Sequence, residues 1–135
     1  MSAAAIRHKA RVAELPSEHV EQVRLFTWAH YARAAHPELS LLYAIPNGGA
    51  RHPVVAAKLK AEGVAAGVPD ICLPVARGGF HALYIELKRQ RGKGPSDEQC
   101  LWLEALNRYG SRAIWCRGWE AARAVIENYL RGATE

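Results

Sequence analysis

The chain has 135 residues, of which 50% are hydrophobic and 23% are charged. A sequence of this size and composition is typical of one globular domain that buries its own core. No stretch approaches the roughly 18 apolar residues of a membrane span, and the N-terminal stretch lacks the apolar centre of a signal peptide. We therefore expect no membrane partner and a cytoplasmic location, in the host cytoplasm if the protein is viral.

Cysteine count and net charge narrow the class further. The three cysteines, Cys72, Cys100 and Cys116, are odd in number and lack CxxC spacing, which favours reduced thiols over disulfides or a zinc site. The net charge of +5 and the isoelectric point near 9.4 point only weakly to a polyanionic partner, because the placement of the charges matters more than their sum.

The first half of the chain predicts two helices and one strand. Residues 1–16 are expected to form a flexible arm, and residues 17–135 a single domain. Ser17 can cap a helix that runs to about residue 35, with an apolar stripe at helical spacing formed by Val20, Val23, Phe26 and Tyr31. The run LSLLYAI (39–45) predicts a buried strand that PNGG stops. HPVVAAKLKAEG (52–63) predicts a short helix closed by Gly63.

The second half alternates strands and helices. Two strands are predicted in GVPDICLPV and FHALYIELK, joined by a turn at ARGG. A helix with both ends marked follows in GPSDEQCLWLEALNRYG, then a strand in RAIWC and an amphipathic helix in GWEAARAVIENYLRG. The order α-β-α-β-β-α-β-α predicts an α/β fold with a mixed central sheet of about four strands flanked by helices.

Acidic and basic side chains meet where the two central strands are expected to end. Asp70 follows Pro69 at the start of one strand, and Glu86 and Lys88 end the next. Since side chains alternate along a strand, Glu86 and Lys88 share a face and Leu87 points away. If the strands are neighbours, Asp70, Glu86 and the Leu87 carbonyl form part of an oxygen shell for Mg²⁺. The alternative explanation takes these residues separately. Glu86 and Lys88 would then form an ordinary ion pair at the end of a strand, and Asp70 would begin a turn.

The pattern Pro-Asp, fifteen intervening residues and Glu-Leu-Lys resembles the PD-(D/E)xK nuclease superfamily. With Glu18 and Gln22 heading the first helix, and AIPNGGARH, LKAEGVAAGVPDI, YIELK and PSDEQ following in order, residues 17–129 are similar to a VRR-NUC (virus-type replication-repair nuclease) domain. The resemblance implies a restriction-endonuclease-like core. It also implies a metal-dependent phosphodiesterase that uses Mg²⁺, for which Mn²⁺ can substitute.

The resemblance further implies roles for single residues. Asp70 and Glu86 would bind the metal together with the carbonyl of Leu87, and Lys88 would orient or activate the attacking water. The products would carry a 5′-phosphate and a 3′-hydroxyl.

Two further catalytic candidates have alternative explanations. The resemblance gives Glu18 the task of holding a water molecule or a second ion, but an acid after Ser17 also stabilises any helix start, and Glu21 is a rival for the same role. Gln99 matches a family position near the lysine, yet its spacing from Ser96 is also that of a capping box.

Residues that would hold nucleic acid by its phosphates fall into two groups, one after the NGG turn and one after the proposed site. The candidates are Asn47, Arg51, His52, Lys58, Lys60, Arg89, Arg91 and Lys93. The alternative is a solvated loop and an exposed helix face. Trp102, Trp115 and Trp119 lie among apolar residues, and we expect them in the core rather than as base-stacking platforms.

In the leading hypothesis the protein is a structure-specific DNA endonuclease that cuts branched DNA, since no base-reading element is evident. Stand-alone members of the family are similar to viral junction-resolving homodimers, which implies a Holliday-junction-resolving homodimer in phage replication or DNA repair. The first and last helices carry surplus apolar residues and are the candidates for its interface. Two alternatives are a monomeric nickase or flap nuclease of the same superfamily, and a catalytically silent DNA-binding module.

Overall fold

The computed structural model describes residues 2–5, 14–46 and 52–133. A mixed sheet of strands in the order β1-β2-β3-β4 forms the centre of the fold. Its strands are β1 (Tyr43–Ala44), β2 (Ile71–Leu73), β3 (Leu83–Lys88) and β4 (Arg112–Arg117). The helices are α1 (Glu18–Ala32), α2 (Pro53–Ala61), α3 (Asp97–Arg108) and α4 (Trp119–Leu130). The predicted α/β class and element order are confirmed.

The register of the sheet decides which side chains meet. Strand β2 runs antiparallel to both β1 and β3, with Ile71 opposite Ile85. Strand β4 runs parallel to β3, with Glu86 opposite Trp115. Paired residues of neighbouring strands point to the same face of a sheet. Glu86 and Trp115 therefore share one face, and Ile71 and Ile85 share the other.

The main core lies on the face of Ile71 and Ile85. Helices α1 and α4 pack against each other and against β3 on this side, and the cluster includes Leu25, Leu87 and Ile126, all fully buried. Helix α3 packs on β4 and reaches Glu86 from the opposite face. The sheet is thus layered between helices, with the polar side chains of β3 on the face of α3.

The apolar stripe predicted for α1 was largely wrong, because only Phe26 of its four residues packs against the core. Val23 and Tyr31 are 50% and 78% exposed, and the face turned to the core consists of Glu21, Leu25 and Ala29. These three lie at i, i+4 and i+8, which is a proper helical stripe. The pattern was misread because Glu21 is an acid, and acids ordinarily mark the solvent side of a helix.

The strand predicted at 39–45 was also largely wrong. Residues Pro37–Leu41 form a 3₁₀ helix, and only Tyr43–Ala44 pair with the sheet. A proline at the first position has the φ of a helical turn already fixed. The apolar run is consequently buried through Leu39 and Leu42, three residues apart, instead of through alternate positions.

The predicted helix ends are confirmed. The hydroxyl oxygen of Ser17 accepts the backbone N–H of Val20 at 3.2 Å and caps α1. Gly63 follows α2 with a φ of +99°, the left-handed conformation that glycine adopts most readily. Within the described ranges, the helices are all too short or too polar to cross a membrane.

Candidate metal centre

The antiparallel pairing of β2 with β3 brings the two predicted acids together. Asp70 immediately precedes β2, and since Ile71 lies opposite Ile85, Asp70 lies beside Glu86. The Oδ2 atom of Asp70 accepts the backbone N–H of Leu87 at 2.9 Å, which fixes the carboxylate at the end of β3. The predicted convergence of Asp70 and Glu86 depended on the two strands being neighbours, and they are neighbours.

A third carboxylate comes from the first turn of α1. One oxygen each from Glu18, Asp70 and Glu86 lie within 4.8 Å of one another. Two oxygens on opposite sides of a Mg²⁺ ion are about 4.2 Å apart. The three oxygens are therefore nearly close enough to surround one ion, and Glu18 is the most accessible of the three acids.

The electrostatics of the cluster favour a cation. Glu86 is 1% exposed, and burial, followed by the negative charge of Asp70, raises its pKa to about 8 although Lys88 opposes the shift. Burial also raises the pKa of Asp70, against the Leu87 N–H that stabilises its charge. The pKa of Glu18 is raised by burial and by Asp70. Three acids this close together destabilise one another's ionised forms, and a bound cation would relieve that repulsion.

Lys88 compensates only part of this charge. Its Nζ lies 3.4 Å from Oε1 of Glu86, so the predicted ion pair exists. The other oxygen of Glu86, Oε2, is buried without a hydrogen-bond partner among the described residues. A buried carboxylate oxygen without a donor is costly. The cluster thus contains three carboxyl groups and one ammonium, and one carboxylate oxygen has no donor among the described residues. Carboxylate oxygens and an excess of negative charge are suited to binding a divalent cation such as Mg²⁺.

Gln99 caps α3 as predicted and also contacts one of the acids. Its backbone N–H bonds the hydroxyl of Ser96, and its Oε1 accepts the Ser96 N–H at 2.8 Å, which completes a capping box at the start of α3. Its Nε2 donates to Oε1 of Glu86 at 2.8 Å. The cap orients the amide, because the Ser96 N–H requires the oxygen, and the nitrogen is left to hold Glu86.

Glu21, the rival of Glu18, lies elsewhere. It is fully buried, and its Oε2 accepts from Nε2 of Gln90 at 3.3 Å. Glu18 is the member of the pair that is grouped with Asp70 and Glu86.

The structure constrains the residues predicted to contact phosphates less than it constrains the acids. Asn47 and Arg51 lie outside the described residues. His52 caps α2, since its Nδ1 accepts the N–H of Val54 at 3.2 Å. Lys58, Lys60, Arg91 and Lys93 are exposed, and Arg89 is half-buried. The exposed positions suit either a solvated surface or a phosphate-binding one, so the role in DNA binding stays a prediction.

Trp115 is not a core residue. It is 38% exposed, it lies on the face of Glu86, and the guanidinium of Arg117 stacks over its ring at 5.1 Å from the centroid. Neither residue was among the predicted site residues. The sequence held one usable signal: RAIWCR alternates, so that Trp115 and Arg117 share a face and Cys116 points into the core.

Three carboxylates and a lysine gathered where neighbouring strands of a mixed sheet end define a restriction-endonuclease-like nuclease domain. A family model described as the VRR-NUC domain matches residues 7–120, and the chain belongs to that family. A solved structure described as a "VRR_NUC domain protein" is similar to it with a TM-score of 0.75 and 26% identity, over 90% of this chain and 98% of that chain. No curated protein sequence matches the chain. The family implies nuclease activity on DNA, and both the predicted family and the predicted fold are confirmed.

Proposed function

We propose that the protein is a Mg²⁺- or Mn²⁺-dependent DNA endonuclease that cuts branched DNA, a four-way junction in particular, as a homodimer. The observation that carries the chemistry is the convergence of one carboxylate oxygen each from Glu18, Asp70 and Glu86, and the buried Oε2 of Glu86, which has no partner among the described residues, adds to it. Such an enzyme would act in replication or DNA repair in a cell's cytoplasm or in that of a phage-infected host.

Asp70, Glu86 and the carbonyl of Leu87 would hold the ion, and Glu18 would hold a water molecule beside it or a second ion. When bound, the ion supplies Lewis-acid stabilisation of phosphate oxygens and lowers the pKa of a nearby water. Lys88 lies on the same face as Glu86 with 14% of its side chain exposed. Its ammonium can orient the attacking water and stabilise the charge that develops on the phosphate.

Gln99 acts as a positioning residue in this proposal. It holds Glu86 through Nε2, and its own orientation is fixed by the cap of α3. Partners that orient a metal ligand in this way are worth about 10–100-fold in metal affinity or activity.

The substrate side of the proposal rests on cations that precede and follow the acids along the sequence. Arg89, Arg91 and Lys93 follow Lys88 directly, and Lys58 and Lys60 are exposed on α2. Contacts of this kind position the phosphate backbone without reading its sequence. Together with Asn47, Arg51 and His52 they would make binding depend on DNA shape and on salt concentration.

The homodimer is supported by the outer face of α1. Residues of the predicted apolar stripe, such as Val23 and Tyr31, are exposed and border a groove of about 450 Å³. Helix α4 is no longer an equal candidate, since Ala122, Ile126 and Tyr129 are buried in the core. A symmetric pair of these surfaces would supply two sites to the two-fold symmetry of a four-way junction.

A cleavage panel tests the proposal directly. The full chain is incubated with a four-way junction, a flap and a linear duplex, with Mg²⁺ or with EDTA, and the products are sized. We expect Mg²⁺-dependent paired nicks in the junction, none with EDTA, and none with Asp70→Ala. Glu104→Gln, which removes an exposed acid from α3, serves as the matched control and should cleave normally.

Each unfavourable result has a distinct meaning. Cleavage that survives EDTA or Asp70→Ala contradicts the metal-centre mechanism. Preference for the flap or the linear duplex contradicts junction resolution but not the metal-dependent chemistry. If the wild type sediments as a monomer and Val23→Asp does not change that state, the dimer is contradicted. Absence of cleavage on all DNAs would favour a silent binding module.

Binding without metal separates the nuclease from that module. Ionised carboxylates repel phosphates when no ion is present, so Glu86→Gln should strengthen DNA binding in EDTA at a pH above about 8, where Glu86 is ionised. Unchanged or weaker binding would contradict a position of Glu86 at the phosphate.

A further inference from the structure

An exposed tryptophan lies next to the metal centre on the edge strand of the described sheet. Trp115 is directly opposite Glu86 in the parallel pairing of β3 with β4, and neighbouring strands lie about 4.8 Å apart. Trp115 is 38% exposed, whereas Trp28, Trp102 and Trp119 are each more buried. Tryptophan is ordinarily well buried, so a site-facing one in solvent calls for a binding role.

Two neighbours hold the indole ring in place. Arg117 lies over the ring and donates from Nη1 to the carbonyl of Arg89 at 3.3 Å and from Nη2 to that of Gly92 at 3.1 Å. Gly94 lies against the far edge of the ring, where an added Cβ would be 3.7 Å from Cη2. The ring is therefore fixed and already bears a cation, and the same arginine ties it to the basic loop that follows Lys88.

We propose that Trp115, fixed by Arg117, is a stacking platform for an unpaired nucleobase of the DNA strand whose phosphate lies at the metal centre. This inference rests on the proposed function and names the part of the substrate that this face would recognise. Aromatic rings combined with basic grooves bind single strands without sequence preference, because every base has a π-face. A nucleobase can stack on the indole ring, and the charge of Arg117 favours a polar aromatic base over an apolar protein side chain.

The consequence for substrate choice is specific. A continuous duplex keeps its bases paired and stacked, so it presents no free face to Trp115. A branch point, a flap or a gap releases bases beside the phosphate that is to be cut. The platform would therefore add affinity for DNA that has unpaired nucleotides at the cleavage position, independently of base identity.

The test measures affinity without cleavage, on the full chain, by fluorescence anisotropy in Ca²⁺ and again in EDTA. Two probes are used: a hairpin duplex with a short thymidine tail, and the same hairpin whose tail carries abasic residues. We expect the wild type to bind the thymidine tail about tenfold more tightly, the effect of roughly one base–aromatic stack. Trp115→Ala should bind both probes equally, and Trp115→Phe should keep most of the preference.

Controls separate stacking from a structural role. Tyr109→Ala removes a more accessible aromatic side chain at the end of α3 and should keep the preference. Melting curves check that each variant is folded. If Trp115→Ala does not fold, Arg117→Lys takes its place, since lysine keeps the charge but not the planar stack, and it should reduce the preference.

The inference is overturned if the wild type binds both tails equally, or if a folded Trp115→Ala or Arg117→Lys keeps the full preference. The cleavage panel reports on the nuclease separately. A thymidine preference in a protein that cuts no DNA would support the platform and contradict the nuclease, and cleavage without the preference would do the reverse.

Discussion

Two glutamates of this protein are fully withdrawn from solvent, and they make an instructive pair. Glu21 in α1 and Glu86 in β3 are 0% and 1% exposed. Each accepts a hydrogen bond from a glutamine amide, from Gln90 at 3.3 Å and from Gln99 at 2.8 Å. Each also has one buried oxygen without a partner among the described residues. By burial and hydrogen bonding alone, the two are nearly equivalent.

Their surroundings separate them. Glu86 shares its space with two more acids, Glu18 and Asp70, and with Lys88. Glu21 instead lies under the turn between β4 and α4, where a Cβ on Gly118 would come within 2.9 Å of its Oε2. Burial of one acid is thus insufficient to indicate a metal site. The accumulation of negative charge that the protein itself leaves uncompensated is the better indicator.

The largest expected effect separates these two glutamates by activity. Glu86→Gln removes a proposed metal ligand. It should lower the cleavage rate by well over the roughly hundredfold that is typical of a residue that only orients a ligand. Glu21→Gln should keep activity within a few-fold, because it changes an acid outside the cluster. Rates on the preferred DNA at saturating Mg²⁺ measure both. Equal losses in the two variants would contradict the distinction.

The next effect concerns the amide that holds Glu86. Gln99→Glu keeps an acceptor for the Ser96 N–H, since glutamate also completes a capping box, but places a fourth acid against Glu86. We expect a loss of about 10–100-fold in cleavage with little change in melting temperature.

Ser96→Ala is the matched variant for Gln99→Glu. It removes the hydroxyl cap, which costs about 1 kcal/mol of stability, and leaves the Glu86 contact in place. A Gln99→Glu enzyme as active as Ser96→Ala would show that Gln99 serves only the helix.

A smaller effect is expected at the accessible edge of the cluster. Glu18→Gln should weaken Mn²⁺ binding, measured by calorimetry, by about tenfold, the lower end of the range for residues that support a metal. Glu21→Gln should leave the affinity unchanged. If Glu21→Gln weakened Mn²⁺ binding and Glu18→Gln did not, Glu21, one turn further along α1, would be the acid that supports the metal.

The meeting of Asp70 and Glu86 was predictable from sequence, because alternation and a short connection between antiparallel strands are local rules. The two sets of contacts that Gln99 makes were predicted only as alternatives, since the capping motif is local and the contact with Glu86 requires the packing of α3. The inward face of α1 was not predictable in this way. A buried Glu21 violates the polarity pattern, and only the tertiary contact with Gln90 accommodates it. Trp115 was misplaced because an aromatic among apolar neighbours is ordinarily core, and the edge position of β4 is a property of the whole sheet.

The smallest expected effect is a dependence of stability on pH in the absence of metal. The pKa of Glu86 rises from an ordinary 4.5 to about 8 in the folded protein, so between these values the folded state binds more protons than the unfolded state. The free energy of unfolding then decreases as pH rises through this window. For one group the decrease is at most about 1.4 kcal/mol per pH unit. Asp70 and Glu18 shift in the same direction.

Melting temperatures in EDTA at several pH values that together span one pH unit inside this window would measure the trend. At about 4 °C for each kcal/mol in a domain of this size, the wild type should melt up to several degrees lower at the alkaline end of that unit. Glu86→Gln should show a flatter profile, because its amide does not titrate. Parallel profiles for wild type and Glu86→Gln would contradict the buried-charge account. Mg²⁺ should stabilise the wild type most at alkaline pH, because the ion binds the ionised carboxylates and competes with the protons that stabilise the metal-free fold.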